Sequence, residues 1–357
     1  MSKRPLVAVA MSGGVDSSVA ALLLRRQGYQ IVGLTMQLMP CGGEKIGGCC
    51  GIEAVQSAQK VCRKLGIPHY VINLREPFRK IVIKNFIQEY AHGHTPNPCV
   101  VCNEKIKFDL LLRRAKEIGA TYLATGHYAT IKLSRQGFFL QKGKDKNKDQ
   151  SYFLYRLKQN QLKHLLFPLG GLTKPQVRQI ASKAGLPTAA KPESQEICFI
   201  PDNNYRKFLI DAASAPNRAG LIVDKKNKIL GRHSGLNQYT IGQRKGLSLS
   251  SPRPLYVIKI NTKNNKLIVG PETDLYQQKC LVKNINWISG AAPKLPLNIS
   301  AKIRYRSLAA KATLKKQGQS LLCRFAKAQR AITPGQSIVF YKGSQILGGG
   351  IIDQVID

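Results

Sequence analysis

An apolar run at residues 6–10 leads into Ser12-Gly13-Gly14-Val15-Asp16-Ser17-Ser18, and a helical pattern follows over residues 17–26. This junction limits the fold more sharply than any other feature of the chain. Two glycines let the backbone turn tightly and present successive N–H groups. The helix start adds positive potential, so the turn suits a phosphate or pyrophosphate. No Lys follows the glycines, which excludes a Walker A loop; the plain alternative is a capped turn. Strand signals at residues 29–36, 69–74 and 122–125 then alternate with helical ones at 54–65, 78–90 and 107–118. Such alternation predicts a parallel sheet with right-handed crossovers and a ligand at the carboxyl ends of its strands.

The pattern changes after residue 129. Residues 130–133 and 138–141 read as a hairpin, 142–148 as an exposed basic loop, and 174–184 as a helix capped by Thr173 with Pro175 in its first turn. Beyond about residue 206 helices fade and short β-rich runs appear, including 220–223, 255–260, 266–269, 321–325 and 337–341. Glycine, proline and asparagine punctuate them, which predicts small β-barrel-like domains. The expected fold is α/β: a parallel-sheet domain over residues 1–205, then two small β-rich domains over 206–272 and 273–357, the last a β-barrel.

Charge narrows the partner. The chain of 357 residues carries 56 Lys and Arg against 19 Asp and Glu, a formal net charge of +37. Like charges repel in the compact state, and counterion release from a polyanion is the natural offset, which points to nucleic acid. A proteome basic throughout is the bland alternative. The apolar run at residues 6–11 is far too short to span a membrane and no signal-peptide cleavage site follows it, so a cytoplasmic protein with no membrane contact is expected.

Nine cysteines are uneven in spacing and odd in number, which reads as thiols for chemistry or packing and not as a disulfide scaffold. Cys99 and Cys102 follow the proline-bounded Thr95-Pro96-Asn97-Pro98, and Cys198 lies in Ser194-Gln195-Glu196-Ile197-Cys198-Phe199. A reactive thiol needs exposure and nearby positive charge; Lys105, Lys107 and Lys191 are close in sequence. Two facing thiols can pass a sulfur, one as a persulfide and the other resolving it. A zinc site would need a second CxxC or His pair. A 4Fe–4S iron–sulfur cluster on Cys99, Cys102 and Cys198 stays open as an alternative. Cys62, Cys280 and Cys323 fall on patterned faces and are expected to be buried, Cys49 and Cys50 to lie near solvent, and Cys41 is unassigned.

With these motifs in hand, the chain resembles the tRNA-specific 2-thiouridylases of the MnmA/TrmU type, within the PP-loop ATP pyrophosphatases, over nearly its whole length. The resemblance rests on the glycine turn, Cys49-Cys50-Gly51, the Thr-Pro-Asn-Pro loop, Cys102-Asn103-Glu104-Lys105-Ile106-Lys107-Phe108 and Ala124-Thr125-Gly126-His127-Tyr128. It continues through Lys148-Asp149-Gln150-Ser151-Tyr152-Phe153, residues 194–200, Tyr239-Thr240-Ile241-Gly242-Gln243-Arg244-Lys245-Gly246-Leu247, Arg304-Tyr305-Arg306 and Pro334-Gly335-Gln336.

The resemblance implies a Rossmann-like PP-loop domain (adenine nucleotide alpha hydrolase-like) that adenylates the C2 oxygen of a wobble uridine with ATP and Mg2+. Sulfur then replaces the activated oxygen, releasing AMP. It implies Cys102 as the nucleophile that ends disulfide-linked to its partner and Cys198 as the persulfide carrier. Asp16 would act on magnesium and pyrophosphate. Ala10, Met11, Ser12, Gly13, Gly14, Val15, Asp16, Ser17, Met36 and Gly126 would line the ATP pocket. Asn97, Pro98 and Cys99 would surround the target base. His127, Lys148, Asp149, Gln150, Arg304, Tyr305 and Gln336 would contact tRNA, and a persulfide-relay protein would donate sulfur. Whether sulfur attacks from the persulfide or as sulfide released by Cys102 stays open. Three positions depart from the family: Cys99 stands where Asp is frequent, His94 where Arg precedes the Thr-Pro-Asn-Pro loop, and Ala54 where an acid follows Glu53. Another PP-loop tRNA or nucleotide ligase is the competing enzyme reading, and an RNA-binding protein without catalysis the competing non-enzyme.

Overall fold

The computed structural model describes residues 4–39, 52–192, 197–200, 204–212 and 218–356. Cys41, Cys49, Cys50 and the Ser194-Gln195-Glu196 stretch lie outside the described residues. The first half holds β1 (Leu6–Ala10), β2 (Gln30–Gln37), β3 (His69–Asn73), β4 (Tyr122–Ala124), a hairpin of β5 (Ala129–Ser134) and β6 (Gly137–Lys142), and the short β7 (Leu165–Leu166). Strands β3-β2-β1-β4-β7 form one sheet in that order, parallel throughout. Val7 and Val9 of β1 pack into one apolar cluster and Ala8 into another, all three fully buried. A strand buried on both faces is what helices on either side of a parallel sheet require. The order reverses at β1, so the crevice for a ligand opens between β1 and β4.

The helix expected at residues 107–118 starts nine positions earlier. Asn97 caps it, accepting from the Val100 N–H at 3.3 Å, and Pro98 takes the first helical position. Residues Cys102–Leu111 then wind as a wide π-helix before the α-helix Leu112–Glu117. The wide turn breaks the 3.6-residue apolar period over that stretch, so periodicity revealed the later part alone.

Two β units follow. Strands β8 (Gly220–Val223), β9 (Ile229–His233), β10 (Tyr256–Asn261) and β11 (Lys266–Gly270) make a sheet ordered β10-β11-β8-β9. Strands β12 (Tyr276–Trp287), β13 (Leu297–Lys302), β14 (Ala310–Gln317), β15 (Ser320–Arg330), β16 (Ser337–Lys342) and β17 (Gln345–Ile356) run β12-β15-β14-β13-β16-β17, and β12 pairs with β17 to close the barrel. Cys280 and Cys323 face each other across β12 and β15 and are fully buried, as is Cys62 apart from 1% exposure. One feature no local pattern announces: β6 of the first domain pairs with β17 of the barrel, Leu140 opposite Ile346. The seam continues in side chains. Tyr152 donates to the Ser337 carbonyl at 2.8 Å, Asn286 to the Tyr155 carbonyl at 2.7 Å, and Gln159 to that of Ile288 at 2.7 Å.

These joints converge on the loop before Asn97. Gln336 of the barrel donates to the carbonyls of Thr95 (2.8 Å) and Pro96 (3.2 Å), while the Thr95 N–H donates to the Pro334 carbonyl (2.9 Å). Gly335 has φ +88°, and a Cβ there would sit 2.7 Å from that of His94, so the barrel turn fits only as glycine. From the middle unit, the Thr240 hydroxyl accepts from that of Thr95 at 3.3 Å. Arg304 ties both units together, donating to the carbonyls of Ile241 and Ala331 and to the Thr333 hydroxyl at 2.6–3.1 Å. Replacing Gln336 by Ala orphans two carbonyls, and we expect a loss of about 1–3 kcal/mol in denaturant unfolding; an unchanged midpoint would contradict the clamp.

His94 adds an ionic anchor: its Nδ1 lies 2.8 Å from Glu89. The hydrogen bond to Glu89 raises His94 above its ordinary 6.5 despite burial, with further help from Asp353, and the same bond lowers Glu89 below 4.5. Asp353 is itself paired with Lys283 at 2.9 Å, and the His92 ring is 6.4 Å away. A raised His contributes fully below its unfolded value and fades as pH climbs through the folded one. A lowered Glu contributes above its unfolded value. The pair therefore stabilises most between pH 4.5 and 6.5. His94→Gln should lower Tm clearly at about pH 6 and much less at about pH 9; an equal loss at both would reject the ion pair.

Candidate active site

The glycine turn sits where the crevice requires it. Beyond β1 the chain continues through Met11, whose N–H still bonds the Leu34 carbonyl, and turns at Gly13 with φ +69°. A Cβ on Gly13 would run into the Ala54 carbonyl. The turn is locked by hydroxyls: Ser17 Oγ accepts from the Ser12 N–H (3.2 Å) and donates to the Gly14 carbonyl (3.1 Å), and Ser18 also donates to Gly14 (2.8 Å). The helix Val15–Arg26 follows with Gly14 as its extended cap. Gly126, just past β4, lies so close that a Cβ would come 2.9 Å from the Ser17 nitrogen. Its bare backbone leaves the helix start open to an anion. Met36 is half-buried near the carboxyl end of β2, whereas the side chains of Met11 and Val15 belong to the core at 2% and 4% exposure.

Asp16 is not alone in this crevice. Both its carboxylate oxygens lie 2.7 Å from Lys174 Nζ, and the Tyr128 hydroxyl donates to one of them at 2.7 Å. The Lys174 side chain is 8% exposed and that of Asp16 34%, so the cation sits deeper than the acid. Sequence reasoning missed Lys174. A signal existed: Lys174 opens the helix Lys174–Lys183, the end where the dipole disfavours a cation. Its N–H is held by Asp145 at 2.9 Å, and Gln176 accepts from the Thr173 N–H at 2.8 Å, so the helix start is fixed independently of that charge.

Cys99 and Cys102 lie on the helix capped by Asn97, and Cys198 lies in a turn outside any helix or strand. Cys99 is exposed in the first turn after Asn97, and Cys102 is 8% exposed one turn on. A reactive thiol is expected to be exposed, and Cys102, the expected nucleophile, instead faces inward where that helix joins the apolar cluster. Cys198 is half-buried and packs on that same cluster. Its neighbour Phe199 anchors it, meeting Phe86 at 5.3 Å and Phe78 at 5.8 Å edge-on. Cys102 and Cys198 are both thiols, and no disulfide joins them in this structure. Among the described residues no three His, Cys, Asp or Glu side chains are grouped to hold a metal ion.

Of the residues expected to meet RNA, Pro98, His127 and Asp149 are buried, Cys99 is exposed and the others are half-buried. Asp149, 8% exposed, accepts from the N–H groups of Gly143 and Ser151 at 3.1 Å each and from the Ser151 hydroxyl at 3.0 Å. Gln150 accepts from the Tyr128 N–H at 3.0 Å. His127 is 9% exposed, bonded to the Thr125 hydroxyl at 2.7 Å and boxed by Phe108 and Phe167. Burial, with Lys107 nearby, drives it well below the usual histidine range, so the ring is neutral. Lys148 is half-buried beside them. Tyr305 lies 4.4 Å from Phe153, ring to ring, with Lys302 over its face. Asn97, Arg304 and Gln336 belong to the clamp, and Pro98 is buried beneath Cys99.

Three family models match in sequence: the tRNA methyl transferase HUP domain over residues 5–202, the tRNA methyl transferase PRC-barrel domain over 206–271 and the aminomethyltransferase beta-barrel domain over 277–352. Among curated relatives, tRNA-specific 2-thiouridylase MnmA of Clostridium perfringens is 48% identical over 360 residues, covering 100% of each chain. The Geobacter metallireducens protein of that name is 46% identical, covering 98% of this chain and 97% of its own. The Caldanaerobacter subterraneus subsp. tengcongensis one is 50% identical, covering 98% of each. A parallel sheet with a glycine turn at its switch point, a HUP-domain match over residues 5–202 and full-length identity near one half lead to one assignment: the chain belongs to the tRNA-specific 2-thiouridylase MnmA family.

Proposed function

We infer that this enzyme uses ATP to adenylate a uridine of tRNA at the C2 oxygen and then places sulfur at that carbon. The observation that carries the reading is the convergence of Cys102 and Cys198 on one cluster of the sheet whose crevice holds the Gly13–Gly14 turn. The family models speak of methyl transfer and the relatives of thiouridylation; paired thiols favour sulfur. A ligase would leave both without work.

The uracil oxygen is a poor leaving group. Its attack on the α-phosphate makes it an ester of AMP and releases pyrophosphate into the N–H groups at the helix start. Lys174 would share that charge, exchanging part of its hold on Asp16 for phosphate oxygens. Asp16, one carboxylate with a third of its surface open, suits Mg2+, which keeps most of its ligands as water and phosphate; the ion would neutralise the triphosphate. A persulfide on Cys198, loaded by a donor protein, then supplies its outer sulfur to C2 as AMP departs. Cys102 takes the remaining sulfur of Cys198 in a disulfide, so the electrons of the broken S–S bond leave with the transferred atom. Exposed Cys99, with Asn97 and Pro98, would border the target base, which must leave its stack to enter. Arg304, Tyr305 and Gln336 would act by holding that border in place, and Tyr305 by presenting an aromatic edge to RNA.

Cys102→Ser and Cys198→Ser should each abolish thionucleoside formation in anaerobic assays with ATP, Mg2+, tRNA and a persulfide donor, while pyrophosphate release persists. Thiolation by the double variant would sink the reading. Lys174→Ala should slow pyrophosphate release by about 100-fold or more, with little change in tRNA affinity; normal release would remove Lys174 from the pocket.

A further inference from the structure

The segment Tyr239-Thr240-Ile241-Gly242-Gln243-Arg244-Lys245-Gly246-Leu247 has no part in the chemistry above, yet it is built rigidly. Thr240 and Gln243 close a turn, with the Gln243 N–H on the Thr240 carbonyl at 3.0 Å and its Oε1 accepting from the Thr240 N–H at 3.2 Å. The turn is sewn to β10 by Gly242 N–H to the Val257 carbonyl (2.8 Å) and Val257 N–H to that of Gln243 (2.9 Å). Gln243 Nε2 then donates to the Lys245 carbonyl at 3.0 Å, so the backbone that carries the two cations is fixed. Gly242 and Gly246 have φ +88° and +73°, and a Cβ on Gly246 would fall 2.6 Å from the Arg206 guanidinium. Arg206 therefore lies directly over this loop, on the helix Tyr205–Ala212, with Tyr239 5.9 Å from its charge.

The result is three cations at one spot: Arg244 and Lys245 exposed, Arg206 half-buried. The acids of the middle unit are spent elsewhere. Glu272 pairs with Arg330, Asp274 with Lys225, and Asp224 accepts the N–H groups of Lys226 and Lys228. Asp211 is exposed on the helix of Arg206, and no ion pair with the three cations is formed among the described residues. Charge alone singles out no surface of a chain at +37. What distinguishes this one is rigidity and position, because the same turn bonds Thr95 through Thr240 and meets Arg304 through Ile241.

We propose that Arg206, Arg244 and Lys245 form a seat for a backbone phosphate of the RNA substrate, holding its anticodon arm against residues 95–102. This rests on the tRNA reading above. The seat positions RNA and does not read its sequence, as is usual where a protein grips phosphate. Cations on an already ordered loop lose less freedom on binding than cations on a mobile one.

The test uses the full chain, an unmodified tRNA transcript and the isolated anticodon-arm hairpin, with binding measured against salt. In the double variant Arg244→Ala/Lys245→Ala, the slope of log affinity on log salt should fall by about 0.7–0.9 for each phosphate that is no longer neutralised, with both RNAs. Thiolation should show a raised KM for tRNA and an unaltered rate at saturation. The exchange Arg244→Lys/Lys245→Arg should restore the slope. An unchanged slope, or an exchange variant as weak as the alanine one, would overturn the seat, and an effect confined to the full tRNA would overturn its placement on the anticodon arm. A wild-type chain that binds tRNA without thiolating it would instead reject the functional reading, leaving the slope to judge the seat.

Discussion

The structure depends on how one short loop is held. Residues 95–97 belong to no helix or strand, yet they aim the helix that carries Cys99 and Cys102. Gln336 and Pro334 grip the loop from the barrel and Thr240 touches it from the middle unit. Arg304 keeps those two units in register. Neutral hydrogen bonds of this kind contribute modestly each, about 1 kcal/mol, so the geometry comes from their number and from the joined sheets behind them. The β6–β17 pairing and the tyrosines on Ser337 make the barrel an extension of the first domain.

Such a scaffold explains why a sulfur-transfer enzyme needs three units. The parallel sheet supplies the glycine turn at its switch point, its long helix carries Cys99 and Cys102, and Cys198 packs on the same apolar cluster as Cys102. Neither fixes where an RNA loop must lie relative to both. A loop grasped by all three units ties the barrel and the middle unit to the helix of Cys99 and Cys102. The inward orientation of Asp149, Gln150 and His127 fits this view. They bond Ser151, Tyr128 and Thr125.

Much of this was legible in the residues, unevenly. The β1 turn, the parallel alternation and the β5–β6 hairpin follow from local pattern because glycine placement and apolar period act over a few residues. The barrel was visible as short β-rich runs, but its closure by β12 on β17 and the addition of β6 are long-range pairings that no local period encodes. The π-helical turn hid the start of the Cys102 helix. The phosphate turn and the thiols could be named as candidates, since their chemistry needs particular residue types. Lys174 was missed, because a lysine among 56 Lys and Arg residues draws no notice until Asp16 is seen 2.7 Å away. Arg304 and Gln336 were expected at RNA, whereas their bonds here run to backbone carbonyls and a threonine hydroxyl.

The order of events at one carbon is the central claim: phosphate activates the oxygen, and sulfur then displaces it. Oxygen-18 placed at C2 of the target uridine follows that atom directly. After a single turnover with ATP and a persulfide donor, mass spectrometry should find the label in the phosphate of AMP, matched by 2-thiouridine in the RNA. Label found in water or pyrophosphate, with AMP unlabelled, would contradict activation of that oxygen by the nucleotide.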